Sequence, residues 1–153
     1  IFRSRMLGTL GLSFPLPGIG VLDEMAREVT IYKQIRATMV RSGGALLSEQ
    51  ASVEGAPPWD VFQMTTPEGD AALVFAFQGQ LDSGDFRIPL SGLDPDASYD
   101  VVSVDAGTLG VATGTDLMID GVKIFQSPST AAHVLVLSRI EAEALPAQRA
   151  PPR

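Results

Sequence analysis

Residues 21–41 carry one long helical pattern, and nothing after Gly44 continues it. That break constrains the fold more than any other feature of the sequence. Leu22, Met25, Val29, Tyr32, Ile35 and Met39 recur at steps of three and four residues, which draws a single apolar stripe along a helix. Asp23 and Glu24 near its start and Arg36 and Arg41 toward its end complement the helix dipole. Gly43-Gly44 supplies a stop. Ahead of the helix, residues 6–14 are small and apolar with no polar face, the pattern of a strand buried on both sides in a parallel sheet. Pro15, Pro17, Gly18 and Gly20 make the loop between them. A strand of that kind needs neighbours on both edges, and a helix of ~30 Å needs a sheet under its stripe. The expectation is that these partners lie upstream of Ile1, and a start without methionine or signal pattern points the same way.

From Ala45 onward the pattern changes to short strands separated by turn residues. The expected strands are 45–49, 60–66, 71–78, 86–90, 99–104, 115–119, 122–126 and 132–138. Turns are expected at Thr66-Pro67-Glu68-Gly69-Asp70, Asp82-Ser83-Gly84-Asp85 and Gly92-Leu93-Asp94-Pro95-Asp96. Asp120-Gly121, between two apolar runs, predicts a two-residue hairpin. Strands at this spacing favour an antiparallel sandwich. Residues 140–153, rich in Ala and Pro, read as a disordered tail.

Charge divides at the same place. Residues 1–41 hold six Lys/Arg against three Asp/Glu, while residues 42–153 hold five against fifteen. The acidic majority argues against nucleic acid, whose binding needs clustered cations, and against an anionic membrane surface. The longest apolar run, Ala71 to Phe77, is too short to cross a bilayer. The absence of cysteine removes disulfides and thiolate metal sites.

Five stretches, in order, resemble the C-terminal end of the α-galactosidases of glycoside hydrolase family 36. Arg3-Ser4-Arg5-Met6-Leu7-Gly8-Thr9-Leu10-Gly11 is similar to the last barrel strand. Ile31-Tyr32-Lys33-Gln34-Ile35-Arg36, with Ser42-Gly43 after it, is similar to the closing barrel helix. Pro67 to Phe77 resembles the family's polar hairpin tip and following apolar strand. Arg87 to Tyr99, with Leu90-Ser91-Gly92-Leu93-Asp94-Pro95 inside it, is the most specific of the five. Gly114 to Val122 resembles a Gly-x-x-Leu-Met segment. The resemblance implies a mainly β chain: residues 1–44 the last β-strand and α-helix of a (β/α)8 barrel, and residues 45–139 a C-terminal antiparallel β-sandwich that stabilises the barrel. It implies a parent enzyme that hydrolyses α-galactosides with retention through two aspartates on earlier barrel strands, outside this chain, without metal or cofactor. The implied partners are an α-galactoside oligosaccharide and the missing N-terminal barrel, with a homo-oligomer left open and a soluble, cytoplasmic setting favoured. Pro15-Leu16-Pro17-Gly18 stands where the family would have an acidic stretch, which leaves a related α-glycosidase of other specificity open. The reading from another class is a non-catalytic carbohydrate-binding or interaction module.

Few residues here invite a chemical role. If residues 6–13 are the eighth barrel strand, Ser13 and Phe14 point to the end where barrel sites form and could shape the pocket edge. The acidic turn Asp94 to Asp100, with Asp105 twelve positions in, has the oxygen spacing of a calcium loop, but Tyr99 occupies the position that needs Gly. A capping turn is the better reading. His133, the sole histidine, lies in an apolar run and reads as a strand residue rather than a catalyst. Trp59 could stack on a sugar, but is read as an anchor of the first sandwich strands against the barrel. Arg36 reads equally as an ion-pair partner or as part of a solvated face.

Overall fold

The computed structural model describes residues 2–8, 10, 19–49, 59–79, 84–125 and 130–141. In chain order the elements are helices α1 (Phe2–Arg5) and α2 (Ile19–Arg41), then strands β1 (Gly43–Leu46), β2 (Trp59–Thr65), β3 (Ala71–Gln78), β4 (Phe86–Ile88), β5 (Ser98–Ser103) and β6 (Gly107–Thr113). Helix α3 (Gly114–Ile119) and strands β7 (Val122–Ile124) and β8 (Ala132–Arg139) complete them. Six strands form one sheet in the order β1-β2-β3-β8-β5-β6, and β4 and β7 pair as a separate ribbon. Every pairing is antiparallel.

Strand β3 is the axis of the molecule. Ala72, Leu73, Val74, Phe75 and Ala76 are all 0% exposed, so both of its faces are covered. Side chains alternate across a strand, so the two faces feed two cores. Val61, Ala72, Val74, Ala76, Tyr99, Val101, Leu135 and Leu137 face the β4–β7 ribbon and α3, meeting Ile88, Leu117, Val122 and Ile124. Leu73, Phe75 and Val134 face the helices, meeting Met6, Ile31, Ile35 and Met39. The result is three layers, with the large sheet between helices and ribbon.

The helix expected over 21–41 forms, and begins earlier, at Ile19, which places Asp23 and Glu24 beyond the first turn. Its buried residues are Met25, Ile31, Ile35 and Met39, while Leu22, Val29 and Tyr32 are half-buried. This chain's own sheet covers the stripe, which answers the expectation that its cover lies upstream. After Arg41, Ser42 donates its N–H to Met39 O at 3.1 Å and its Oγ to Thr38 O at 2.7 Å, closing the helix. Gly43 and Gly44 then open β1 rather than a turn, pairing with Thr65 and Met64. A side chain at Gly44 would run into the Phe62 ring.

Three other expectations change. Of residues 6–14, Met6 and Leu7 form a turn, Gly8 a bend, and Leu10 lies in no regular element; the rest lie outside the described residues. Among the described residues, 6–8 and 10 pair with no strand. Residues 115–119 are helical, not a strand. Thr113 caps α3 by accepting from Asp116 N at 3.1 Å, the Thr-x-x-Asp signature of a helix start. The Asp120-Gly121 hairpin is therefore absent: Asp120 ends the helix, and Gly121 turns out of it at φ 76°. Strand β6 lacks a sequence pattern because it is an edge strand exposed almost throughout, with a bulge in its pairing to β5 next to Val101. The expected turn at residues 82–85 is described only at Gly84 and Asp85. Of the tail, Ile140 still donates to Ser98 O at 2.8 Å, and residues 142–153 lie outside the described residues.

The segment Gly92 to Tyr99 ties the sandwich together. Tyr99 is fully buried; its hydroxyl donates to Gly69 O at 2.5 Å and accepts from Asp94 N at 2.9 Å. Asp94 also pairs with Arg139 at 3.0 Å. One phenol thus joins the β2–β3 turn to the loop before β5. Gln63, 1% exposed in β2, holds the same loop by donating to Ser91 O at 2.6 Å and accepting from Ser91 N at 3.0 Å. Tyr99→Phe should cost about 1–3 kcal/mol, because Asp94 N and Gly69 O lose a buried partner. Urea unfolding should show a lower midpoint at unchanged slope; an unshifted midpoint would mean that the hydroxyl contributes nothing.

Candidate functional site

Three parts of the fold meet at Arg3. The side chain leaves α1 and enters the space between α2, the turn after β5 and the start of β8. Nε and Nη2 donate to Glu28 at 3.0 and 2.9 Å, Nη2 and Nη1 donate to Asp105 at 2.7 and 2.5 Å, and Nη1 donates to Ala132 O at 2.6 Å. All five guanidinium N–H groups are thereby used. Arg3 is 6% exposed. A second cation, Arg27 on α2, reaches Asp105 at 3.1 Å from a mostly exposed position. The hydrogen bonds from Arg3 hold the Asp105 carboxyl below its ordinary range, and acceptance of those bonds by Asp105 and Glu28 reinforces the protonation of Arg3. A carboxylate clamped in this way is a poor acid and a poor nucleophile.

Beside this cluster the sandwich is incompletely filled. The β4–β7 ribbon is three residues long and covers only part of the sheet face. A cavity of about 290 Å³ remains, walled by Leu109, Ile124, Phe125 and Leu135 with Ser103, Asp105, Lys123, Thr130 and His133 among its polar lining. His133 is 8% exposed, and its Nε2 has no hydrogen-bond partner among the described residues. Burial holds its pKa below the ordinary value, an effect opposed by Asp105, reinforced by Arg3 and opposed again by the Thr130 backbone. The ring tilts against Trp59 at 5.6 Å. Trp59 is 2% exposed, stacks on Phe86 at 6.0 Å and donates Nε1 to Gly84 O at 3.2 Å. It is an anchor, as the sequence suggests, but it anchors β2 to the ribbon rather than to the helical layer.

The family model of the glycosyl hydrolase family 36 C-terminal domain matches residues 59–137, just over half of the chain. The chain belongs to that family. The family 36 segment thus runs from β2 to β8 and takes in the ribbon, α3 and the cavity. No curated protein matches the sequence. Among solved structures, α-galactosidase AgaA from Geobacillus stearothermophilus, as a variant in complex with stachyose, is similar with a TM-score of 0.72 at 22% identity, over 91% of this chain and 19% of that one. AgaB from the same organism gives 0.69 at 21%, over 91% and 19%. The α-galactosidase from Lactobacillus brevis gives 0.65 at 17%, over 84% and 18%. At these identities the likeness is one of fold, and the chain spans about a fifth of the length of these proteins.

The two residues placed at a pocket edge from sequence, Ser13 and Phe14, lie outside the described residues. The turn Asp94 to Asp100 is a capping turn: Asp94 Oδ1 accepts from Asp96 N at 3.1 Å. Asp105, the last oxygen of the imagined calcium loop, goes to Arg3 instead, and no group of three or more metal-ligating side chains occurs among the described residues. Arg36 is exposed and, with Tyr32, borders a second cavity of about 210 Å³ between α2 and β2. Sequence reading missed the Arg3 cluster altogether. Arg3 stands ahead of the apolar segment 6–14, and no spacing links it to Glu28 or Asp105.

Arg3→Ala should destabilise the chain by about 3–5 kcal/mol, since it leaves the Glu28 carboxylate without its partner and Asp105 with only the exposed Arg27. Arg27→Ala should cost less than about 1 kcal/mol, because that pair is exposed. Equal losses in thermal or urea unfolding would contradict this ranking. Stability should also fall as pH drops below about 6.5, the ordinary histidine value. There the unfolded chain binds a proton that buried His133 resists, so stability rises with pH up to that point and is flat above it for this group. His133→Gln should flatten that part of the profile, and an unchanged slope would remove His133 as its source.

Proposed function

We propose that this chain is the C-terminal portion of a retaining α-galactosidase-like glycoside hydrolase, in which the sandwich braces the catalytic barrel and the catalytic aspartates lie elsewhere in the protein. Family membership over residues 59–137 carries the reading. The fold likeness to α-galactosidases supports it further, since at 91% of the chain it extends well beyond that segment and includes much of the region N-terminal to it.

In this reading residues 1–44 close the barrel and residues 45–139 form the sandwich. Ser13 and Phe14 border the pocket, and the substrate is an α-galactoside oligosaccharide. Retention needs two carboxyl groups about 5–5.5 Å apart, one attacking the anomeric carbon and the other serving as acid and then base. Glu28 and Asp105 converge on Arg3, but both are committed to it. That is the chemistry of a brace rather than of a nucleophile and an acid.

Two measurements test the proposal. The purified 153-residue chain should not hydrolyse an aryl α-galactoside, and measurable turnover would overturn it. The intact enzyme that carries this segment should release the α-anomer of galactose first, as followed by proton NMR; initial release of the β-anomer would refute retention.

A further inference from the structure

We propose that the cavity between the β4–β7 ribbon and the six-stranded sheet is a binding site for a neutral sugar ring.

The first argument is unspent hydrogen-bonding capacity. Buried polar groups in folded proteins are nearly always satisfied, so each exception calls for a cause. His133 lines the cavity with a buried Nε2 that has no partner among the described residues. Ser103, 7% exposed, lies on the same wall. Its Oγ accepts from Asp105 N at 3.3 Å and Ala106 N at 3.2 Å, and its own proton has no acceptor among the described residues. Asp105 Oδ2 accepts from Arg3 and retains a second lone pair. A neutral imidazole, a hydroxyl and a carboxylate oxygen suit a ligand with several hydroxyls, each able both to donate and to accept.

The second argument is charge. The charged groups lining the cavity already have partners: Asp105 is neutralised by Arg3 and Arg27, and Lys123 by Asp85 at 2.9 Å. An anion would find no free cation among the described lining residues and would face the Asp105 carboxylate. A cation would have to displace an arginine that has five bonds. A neutral ligand disturbs neither pair.

The third argument is the apolar wall. Phe125 is 55% exposed, an aromatic surface at the cavity with the Lys123 ammonium 4.6 Å from its ring centroid. Leu109, Ile124 and Leu135 complete an apolar lining. A pyranose offers a C–H face to such a surface while its hydroxyls bond to the polar side. The volume of about 290 Å³ lies at the lower end of small-molecule sites, which fits one ring and not a chain of them.

The sequence provides its own reporters, since His133 is the only histidine and Trp59, tilted against it, the only tryptophan. The 153-residue chain, labelled with ¹⁵N, would be titrated with methyl α-D-galactopyranoside and with methyl α-D-glucopyranoside, following the imidazole nitrogens and Trp59 emission. The expected result is a saturable shift with at least one of them and a dissociation constant of ~1–10 mM, the range for a ligand of about a dozen heavy atoms. Leu109→Phe, which narrows the cavity from an exposed edge strand, and Phe125→Ala should each weaken binding at least about fivefold, with Trp59 emission of the free protein unchanged. No saturable change with either sugar up to ~100 mM overturns the proposal. So does a shift that both variants retain, or one produced by inorganic phosphate and not by the sugars. None of these outcomes bears on whether the parent enzyme is a galactosidase, which the hydrolysis assay decides separately.

Discussion

The Arg3 cluster is the interaction on which the layered arrangement depends. A four-residue helix has too few residues to hold a position by its own hydrogen bonds. Arg3 compensates by spending all five donors on partners from three places: Glu28 on α2, Asp105 after β5 and Ala132 at the start of β8. Apolar contact between α2 and the sheet supplies the larger burial term, but such contact is not directional. The guanidinium fork is directional, and it fixes where the helices sit along the sheet. Desolvating these charges is costly, and the arrangement is stable because each is paired and hydrogen-bonded.

The second constraint is the double burial of β3. A strand covered on both faces requires two layers, and this chain provides them unequally. Helix α2 runs 23 residues along one face, while the ribbon opposite has strands of three. Helix α3 and the Gly92–Tyr99 loop extend the cover around Leu117 and Leu93. At the other end no described element of comparable length follows, and the cavity beside His133 and Ser103 lies there. It lies next to the charged cluster because Asp105 belongs to both.

What could be read from the sequence follows from where each pattern has its physical cause. The stripe of α2 was legible because one face packs on apolar residues and the other on water. Strands β2, β3, β5 and β8 were legible as runs of β-branched and aromatic residues. The edge strand β6 was not, since exposed residues with two glycines leave no alternation to detect. Helix α3 was misread because Leu117-Met118-Ile119 fits a short strand as well as a short helix. The deciding signal was Thr113 three residues before Asp116, a cap rather than a periodicity. The candidate site was largely illegible. Its residues come from α1, α2, β5, β7 and β8, and only tertiary contact brings Arg3 to Asp105 across 102 positions.

The same reasoning explains why family resemblance in this segment tells more about fold than about substrate. The most specific stretch, Leu90 to Tyr99, is a structural knot: Gly92 at φ 68° turns the chain, Asp94 caps and pairs with Arg139, and Tyr99 ties the loop to Gly69. Gly114 in the fifth stretch is small because a side chain there would collide with the Asp94 carbonyl, so two of the resembling stretches are halves of one contact. Tyr32, in the helix signature, has its hydroxyl 3.4 Å from Gly8 O, within the first stretch. These matching residues hold other matching residues in place. The likeness of fold to AgaA and AgaB holds at an identity of about a fifth. Substrate choice need not leave a trace in residues that face each other rather than a ligand. In this segment the side chains with unspent bonding capacity, His133 and Ser103 at the cavity, are where any further chemistry has room to act.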